Sequence, residues 1–161
     1  MKIGVVSDTH SKKIPAQLLE ELRSVDYIIH AGDFCSLKDF EVFNKIKEVK
    51  AVYGNMDEPL LKKKLPEQQI FKLEGLQFGL YHGDGPADKV VGSVQSKFKG
   101  KQLDVIIFGH SHQPYNEKKG GTLFFNPGSP NDTLFAPYLS YGILEVNKGS
   151  VSGKIVKIGE K

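Results

Sequence analysis

The sequence predicts an α/β fold with two β-sheets flanked by helices. Three observations lead to this class. Short apolar strands alternate with amphipathic helices in the first half, strands dominate the second half, and polar residues of a few types follow most of the strands. A β-α-β-α-β order favours parallel strands joined by right-handed crossovers. The strands of the second half then predict a second sheet.

The elements of the first half follow from hydrophobic periodicity. Strands are expected at residues 3–7, 27–30 and 50–53, where apolar residues run together. Helices are expected at 15–24 and 37–49, where apolar residues recur at the spacing of one helix face. This part of the chain therefore predicts one parallel sheet covered by two helices.

The second half consists mainly of predicted strands. These strands are expected at residues 70–73, 77–81, 103–108, 122–125, 138–146 and 151–158. Glu74-Gly75 and Asn147-Lys148-Gly149 have the composition of hairpin turns, so their flanking strands are expected to pair antiparallel. One further helix is expected at 86–98. Both sheets are thus predicted to contain some antiparallel strands.

Length and composition limit the class of protein. A chain of 161 residues is expected to form one domain over residues 1–161. We expect neither a targeting leader nor a membrane span, because no apolar run is long enough. The single cysteine, Cys35, favours a reducing cytoplasm. The net charge is only +3, and the short lysine clusters are typical of solvated faces.

Residue types that can bind metals follow five of the predicted strands. Taken singly, each has the structural interpretation of a turn or cap residue. His30, inside a strand, is interpreted as an ordinary buried or surface histidine rather than a ligand. Because parallel strands end at a common edge, however, we expect the others to meet. Four of the five histidines take part, which predicts a metal centre. The candidate ligands are Asp8, His10, Asp33, Asn55, His82, His110 and His112.

The number of candidate ligands predicts two metal ions. Seven donors exceed the four of a tetrahedral site but suit two sites that share a carboxylate. Imidazole and carboxylate donors without thiolate favour Mn, Ni, Fe, Zn or Co, with manganese as the first choice. Two divalent ions would contribute four positive charges, and Asp8, Asp33 and a bridging hydroxide would each remove one. The site would therefore keep a net charge of about +1. Such a site suits an anionic phosphate ester.

These motifs resemble those of the calcineurin-like metallophosphoesterases. The family's order, D-x-H, G-D, G-N-H-D/E, H and G-H-x-H, is matched between residues 8 and 112. Residues 126–129, Asn-Pro-Gly-Ser, further resemble the small prokaryotic phosphodiesterase branch. The resemblance implies a four-layer αββα sandwich of two mixed sheets flanked by helices. It also implies hydrolysis of a small phosphodiester by a hydroxide that bridges two divalent ions.

The resemblance implies a division of the ligands. Asp8, His10 and His112 would hold one ion, and Asp33 would bridge both. Asn55, His82 and His110 would hold the second ion, with Asn55 also touching a substrate oxygen. The catalytic roles accordingly fall to Asn55 and His110. Asp84 either orients a ligand histidine or is a turn residue.

The chain departs from the family pattern at one position. Met56 stands where many members have a histidine that can protonate the leaving group. A thioether cannot donate a proton, and general acid catalysis is worth roughly 10²–10⁴-fold. This departure weakens a phosphomonoesterase interpretation more than a phosphodiesterase one. In addition, residues 131–140 contain no arginine that could bind substrate.

Two alternatives to a phosphodiesterase stay open. The resembled family includes a retromer coat subunit of similar size that works mainly by binding proteins, although its ligand set is degraded. A nuclease ranks last, because the chain lacks an extended basic surface for a duplex. The oligomeric state is undetermined, and relatives of this kind are often homodimers.

Overall fold

Two five-stranded sheets form the centre of the fold. The computed structural model describes residues 1–159, so the last two residues of the predicted domain, 160 and 161, lie outside the described residues. The first sheet has the order β10-β9-β1-β2-β3 and the second the order β4-β5-β6-β8-β7. The strands are β1 Lys2–Val6, β2 Tyr27–His30, β3 Val49–Ala51, β4 Gln68–Leu73, β5 Leu76–Tyr81, β6 Val105–Ile107, β7 Tyr115–Lys119, β8 Thr122–Asn126, β9 Ser140–Asn147 and β10 Ser150–Lys157.

Helices cover the outer faces of both sheets. They are α1 Ala16–Ser24, α2 Leu37–Ile46, α3 Pro59–Lys64 and α4 Val90–Lys97, the last preceded by a 3₁₀ turn at Ala87–Lys89. Within residues 1–159, none of the helices combines the length and the apolar character needed to cross a bilayer.

Each sheet combines three parallel strands with two strands that pair antiparallel. Strands β1, β2 and β3 are parallel, and so are β5, β6 and β8. In the first sheet, β9 pairs antiparallel with β1 and β10 with β9, so one side is antiparallel and β3 is a parallel edge; in the second, β4 and β7 complete both edges antiparallel. Both predicted hairpin turns are confirmed, because β4 pairs with β5 and β9 with β10.

Three apolar clusters establish the layers. The central cluster joins the inner faces of both sheets, with residues such as Val5 of β1 and Phe125 of β8. A second cluster packs Leu18 of α1 and Phe43 of α2 against the first sheet. A third packs Val94 of α4 against the second sheet. The predicted four-layer αββα sandwich is therefore confirmed.

Several predicted element boundaries were wrong. The helix expected at 37–49 ends at Ile46, because Val49 pairs with Ile28 and so belongs to β3. The helix expected at 86–98 becomes α-helical only at Val90. Tyr138 and Leu139 precede β9 rather than belonging to it.

The sequence interpretation also missed two elements. Strand β7 was missed because most of its side chains are polar and exposed at a sheet edge, which leaves no apolar alternation. Helix α3 was missed because its six residues include a proline and three lysines. Pro59 occupies the first helical turn, where proline is well tolerated.

Candidate metal centre

The seven predicted donors come together at one end of the two sheets. Hydrogen bonds between backbone groups of the strand-end loops hold them there. The amide of Asp8 donates to the carbonyl of Gly32 at 3.0 Å, and that of His10 donates to Asp33 at 3.0 Å. Across the second sheet, the amide of Gly109 donates to the carbonyl of His82 at 2.9 Å. Backbone hydrogen bonds alone therefore join these loops in pairs.

The first donor group consists of Asp8, His10 and His112. Nε2 of His10 and Nε2 of His112 lie 3.1 Å apart. Oδ1 of Asp8 lies 3.3 Å from Nε2 of His112 and 3.8 Å from Nε2 of His10. One ligand atom from each residue therefore faces a common point.

The second donor group consists of Asn55, His82 and His110. Oδ1 of Asn55 lies 3.1 Å from Nε2 of His82 and 3.0 Å from Nδ1 of His110. The two imidazole nitrogens are 3.3 Å apart. These three atoms form a compact triangle contributed by three different strand ends.

Asp33 lies between the two groups. Its Oδ2 is 3.3 Å from Nε2 of His82 and 3.9 Å from Nε2 of His10. Its Oδ1 accepts a hydrogen bond from the backbone amide of Met56 at 2.8 Å. A carboxylate in this position can serve both groups at once, as a shared ligand must.

The arrangement fits divalent ions. Nitrogen or oxygen ligands about 2.0–2.1 Å from one ion are themselves separated by roughly 3 Å. Five of the six spacings within the two groups lie between 3.0 and 3.3 Å, and the distance from Asp8 to His10 is 3.8 Å. Oδ1 of Asp8 is buried and has no hydrogen-bond donor in the described residues. A buried acceptor without a donor costs about 1–3 kcal/mol. A bound cation would remove this cost.

Opposite charges in the site shift several pKa values. Burial alone would raise the pKa of Asp8, but His112 and His82 hold it at about 2, so this carboxylate is ionised. Burial would likewise lower the pKa of His82, but Asp33 and Asp8 raise it to about 9. His112 is also raised to about 9, by Asp8 and Asp132 against the effect of burial. The carboxylates thus create a strong preference for positive charge.

Three of the candidate ligand histidines are oriented through their other ring nitrogen. Nδ1 of His82 donates to the carbonyl of Ala31 at 2.7 Å. Nε2 of His110 donates to the carbonyl of Gly85 at 2.9 Å. Nδ1 of His112 bonds to Oδ2 of Asp132. Each bond leaves the opposite nitrogen facing the site, which is how ligand imidazoles are usually fixed.

The sequence left two roles open for Asp84, that of orienting a ligand histidine and that of a turn residue. Asp84 accepts a hydrogen bond from the hydroxyl of Tyr81 at 2.8 Å and, within the described residues, forms no hydrogen bond to a candidate ligand histidine. The carboxylate that orients a histidine is Asp132, which the motifs did not indicate. Twenty residues separate it from His112, so no local pattern could have found it.

Asp57 is a second residue whose role the sequence did not show. Its carboxylate accepts hydrogen bonds from the amides of Gly54 at 2.7 Å, Cys35 at 2.7 Å and Asp33 at 3.0 Å. It therefore holds together the loops that carry Asn55 and Asp33. Its place at the end of the Gly54–Asp57 motif was the available signal.

The backbone at the site is left-handed at five donor residues. Such φ angles are uncommon outside glycine, but aspartate and histidine tolerate them better than most residues. Each costs about 1–3 kcal/mol and is typical of functional sites. The residues and their φ angles are Asp8 57°, His10 47°, Asp33 60°, His110 67° and His112 56°.

Of the two structural positions that the sequence left open for His30, buried or at the surface, the structure shows the buried one. Its ring is fully buried and stacks on Phe34 with centroids 3.5 Å apart. Nε2 lies 3.2 Å from the hydroxyl of Thr9, and Nδ1 accepts from the amide of Gly32 at 3.2 Å. Burial lowers its pKa to about 3, so the ring is neutral.

Comparison with known proteins places these residues in a wider context. A sequence model described as a calcineurin-like phosphoesterase superfamily domain matches residues 1–149. A probable metallophosphoesterase of Methanothermobacter thermautotrophicus is 32% identical over 167 residues, covering 99% of this chain and 94% of that protein. A phosphodiesterase of Methanocaldococcus jannaschii is 32% identical over 145 residues, covering 80% and 83%. Vps29 of Chaetomium thermophilum matches with a TM-score of 0.78 over 98% of this chain and 97% of its own, but at 18% identity this likeness shows the fold alone.

Proposed function

The chain belongs to the calcineurin-like phosphoesterase superfamily, and from that premise we propose that it is a phosphodiesterase that uses two divalent metal ions. The observation that carries the proposal is the position of Asp33 between two complete donor groups. The similarity to the phosphodiesterase of Methanocaldococcus jannaschii supports the same reaction class.

We assign one ion to each donor group. Asp8, His10 and His112 would hold the first ion, as their converging atoms favour. Asn55, His82 and His110 would hold the second, and Asp33 would serve both. When bound, such a pair of ions supplies a water-derived nucleophile and stabilises the charge that develops on a phosphoryl group.

The chain itself then binds and orients the diester. Asn55 is exposed, and its Oδ1 faces His82 and His110. This orientation leaves its amide nitrogen to donate a hydrogen bond to a substrate oxygen. Nζ of Lys62 donates to the backbone carbonyl of Asn55 at 2.9 Å and so steadies this loop.

Met56 supports a diester rather than a monoester substrate. Its side chain is 58% exposed, while its backbone amide holds Asp33. The thioether has no proton to give to a leaving group. Without general acid help, which is worth roughly 10²–10⁴-fold, the enzyme favours esters whose leaving oxygen departs with help from solvent alone.

The donor chemistry limits the metals, and the single thiol suggests the compartment. Imidazole, carboxylate and carboxamide donors suit manganese first and nickel, iron, zinc or cobalt next. Cys35 is a free thiol, and burial raises its pKa to about 11, so it takes no part as a nucleophile. A free thiol beside the site is compatible with the reducing cytoplasm, where we place the reaction.

Hydrolysis assays after removal of metal test the proposal. The chelated protein should hydrolyse neither bis-p-nitrophenyl phosphate nor p-nitrophenyl phosphate. Added Mn²⁺ or Ni²⁺ should restore turnover of the diester and leave the monoester the poorer substrate. If none of the divalent ions of manganese, nickel, iron, zinc and cobalt restores hydrolysis of the diester, the proposal is wrong.

One observation favours a non-catalytic scaffold as the second candidate. Large apolar side chains are exposed near the donor groups, including Met56 at 58% and Phe135 at 70%. A scaffold could use them to bind a protein partner. The complete donor set favours the enzyme instead, and the metal-restored hydrolysis assay distinguishes the two.

A further inference from the structure

We propose that Phe135 forms an aromatic wall beside the first donor group and stacks on a flat ring of the substrate's ester group, such as a nucleobase. The inference rests on the proposed phosphodiesterase function and adds a class of substrate to it. The residues that carry the wall are 131–139, called here the wall loop.

Phe135 lies next to the proposed metal site. Its ring centroid is 6.3 Å from that of His112, with the rings at 70° to one another. The side chain is 70% exposed, and that of its neighbour Leu134 is 77% exposed. An aromatic surface of this size at the rim of a polar centre gains free energy when a ligand covers it.

The wall loop is held in place on the side of the donor groups. Asp132 accepts hydrogen bonds from the amides of Leu134 at 2.9 Å and Phe135 at 3.3 Å. At the start of the loop, the side-chain amide of Asn131 donates to the carbonyl of Thr9 at 2.9 Å. Just before the loop, the hydroxyl of Ser129 donates to the carbonyl of Asp8 at 2.8 Å. The backbone that carries the ring is therefore held in place, which lowers the cost of ordering the loop on binding.

The chemistry of the wall loop favours stacking over charge recognition. Residues 131–139 contain no lysine or arginine, so the loop offers no cation for a second phosphate. An aromatic face accepts any flat ring, and each base stacked on one contributes measurably to affinity. The diester therefore carries its phosphate on the donor groups and one flat ester group on Phe135.

Two substrates with the same leaving group test this inference. Thymidine 5′-(p-nitrophenyl phosphate) and methyl p-nitrophenyl phosphate differ only in the group that stays on phosphorus. In Phe135→Ala, the ratio of kcat/KM for the thymidine ester to that for the methyl ester should fall about tenfold, mainly through KM. Phe135→Tyr should restore the ratio, and the control Ile70→Ala, at an exposed apolar residue of β4 outside the wall loop, should keep the wild-type value.

The outcomes separate this inference from the proposed function. If Phe135→Ala hydrolyses both esters and the ratio of their kcat/KM values is unchanged, the aromatic wall is wrong, but the proposed phosphodiesterase function is unaffected. If Phe135→Ala instead converts a dimer into a monomer at an unchanged ratio, the ring belongs to a contact between two copies, which also overturns it. No turnover of either ester by the metal-loaded wild type removes the proposed function and the wall together.

Discussion

Nδ1 of His112 is hydrogen-bonded to the carboxylate of Asp132, which lies beyond β8 in a different loop. The bond turns Nε2 of His112 toward Oδ1 of Asp8, 3.3 Å away. The same carboxylate accepts the backbone amides of Leu134 and Phe135. One side chain therefore positions both a proposed metal ligand and the proposed wall for the substrate.

Asp132→Asn should weaken metal binding at the first donor group. An amide is a weaker acceptor than a carboxylate and cannot supply the negative charge that holds His112. Loss of such an orienting partner typically costs 10–100-fold in metal affinity, and we expect a loss of about that size. Titration of the chelated protein with Mn²⁺ by calorimetry measures it.

Asp84→Asn is the matched control for this prediction. Asp84 is exposed, is hydrogen-bonded to Tyr81, and acts on His110 only through its charge, so its loss should cost clearly less than the 10–100-fold expected for Asp132→Asn. A larger loss in Asp84→Asn than in Asp132→Asn would reverse the assignment of the orienting residue.

Gly54→Ala should disrupt the site without removing any donor. A Cβ atom on Gly54 would lie 2.1 Å from Oδ1 of Asp33, so either the loop or the carboxylate must move. We expect a metal affinity at least about tenfold weaker and a free energy of unfolding lower by about 1–3 kcal/mol, the usual cost of overpacking. Calorimetry and urea unfolding of the metal-free protein measure the two effects.

Gly92→Ala provides the comparison at an exposed helical position. Gly92 lies in α4, and a Cβ atom there would meet nothing within 4 Å. Alanine in a helix is favoured over glycine by roughly 0.5–1 kcal/mol, so this variant should be slightly more stable and bind metal normally. Equal metal affinities in the two variants would show that the close approach at Gly54 is unimportant.

Asp33→Asn should impair both donor groups together. The substitution removes the charge of the residue that lies 3.3 Å from His82 and 3.9 Å from His10. We expect metal stoichiometry below two per chain and a loss of turnover of about 100-fold or more. Asp88→Asn, which removes an exposed carboxylate paired with Lys89, should retain both. Two tightly bound ions and full activity in Asp33→Asn would contradict the bridging role.

His30 should make the protein less stable in mild acid. Burial lowers its pKa to about 3, although the charge of Asp8 acts in the opposite direction. In the unfolded chain the ring protonates near its ordinary pKa of 6.5, so between that value and about 3 the unfolded state binds a proton that the folded state excludes. Stability attributable to the neutral ring is complete above pH 6.5 and declines as the pH falls.

His30→Asn removes this titration and leaves a short polar side chain in its place. Between pH 7 and pH 5, the wild type should lose about 2 kcal/mol more free energy of unfolding than the variant. Urea unfolding of the chelated proteins at both pH values gives the comparison. An equal loss in both proteins would mean that His30 is not kept neutral by the fold.

Much of the fold and most of the site could be predicted from local patterns. The central parallel strands are apolar runs, and the candidate donors follow these runs directly in the sequence. The alternation of apolar strands with helices along the chain therefore predicted the strands and the positions of the donors. Strand β7 escaped because pairing with β8, rather than its own polar sequence, makes Tyr115–Lys119 a strand. Helix α3 escaped for a similar reason, since burial of Leu61 stabilises a segment with three consecutive lysines.

By itself, the sequence determined which residues can bind metal and that parallel strands bring them to one edge, because both depend on residue type and spacing. Only the tertiary structure decided that Asp33 faces both donor groups, that Asp132 rather than Asp84 orients a histidine, and that Phe135 stands exposed beside His112. These relationships join residues distant in the chain. Their geometry depends on the paths of separate loops, which no local pattern specifies.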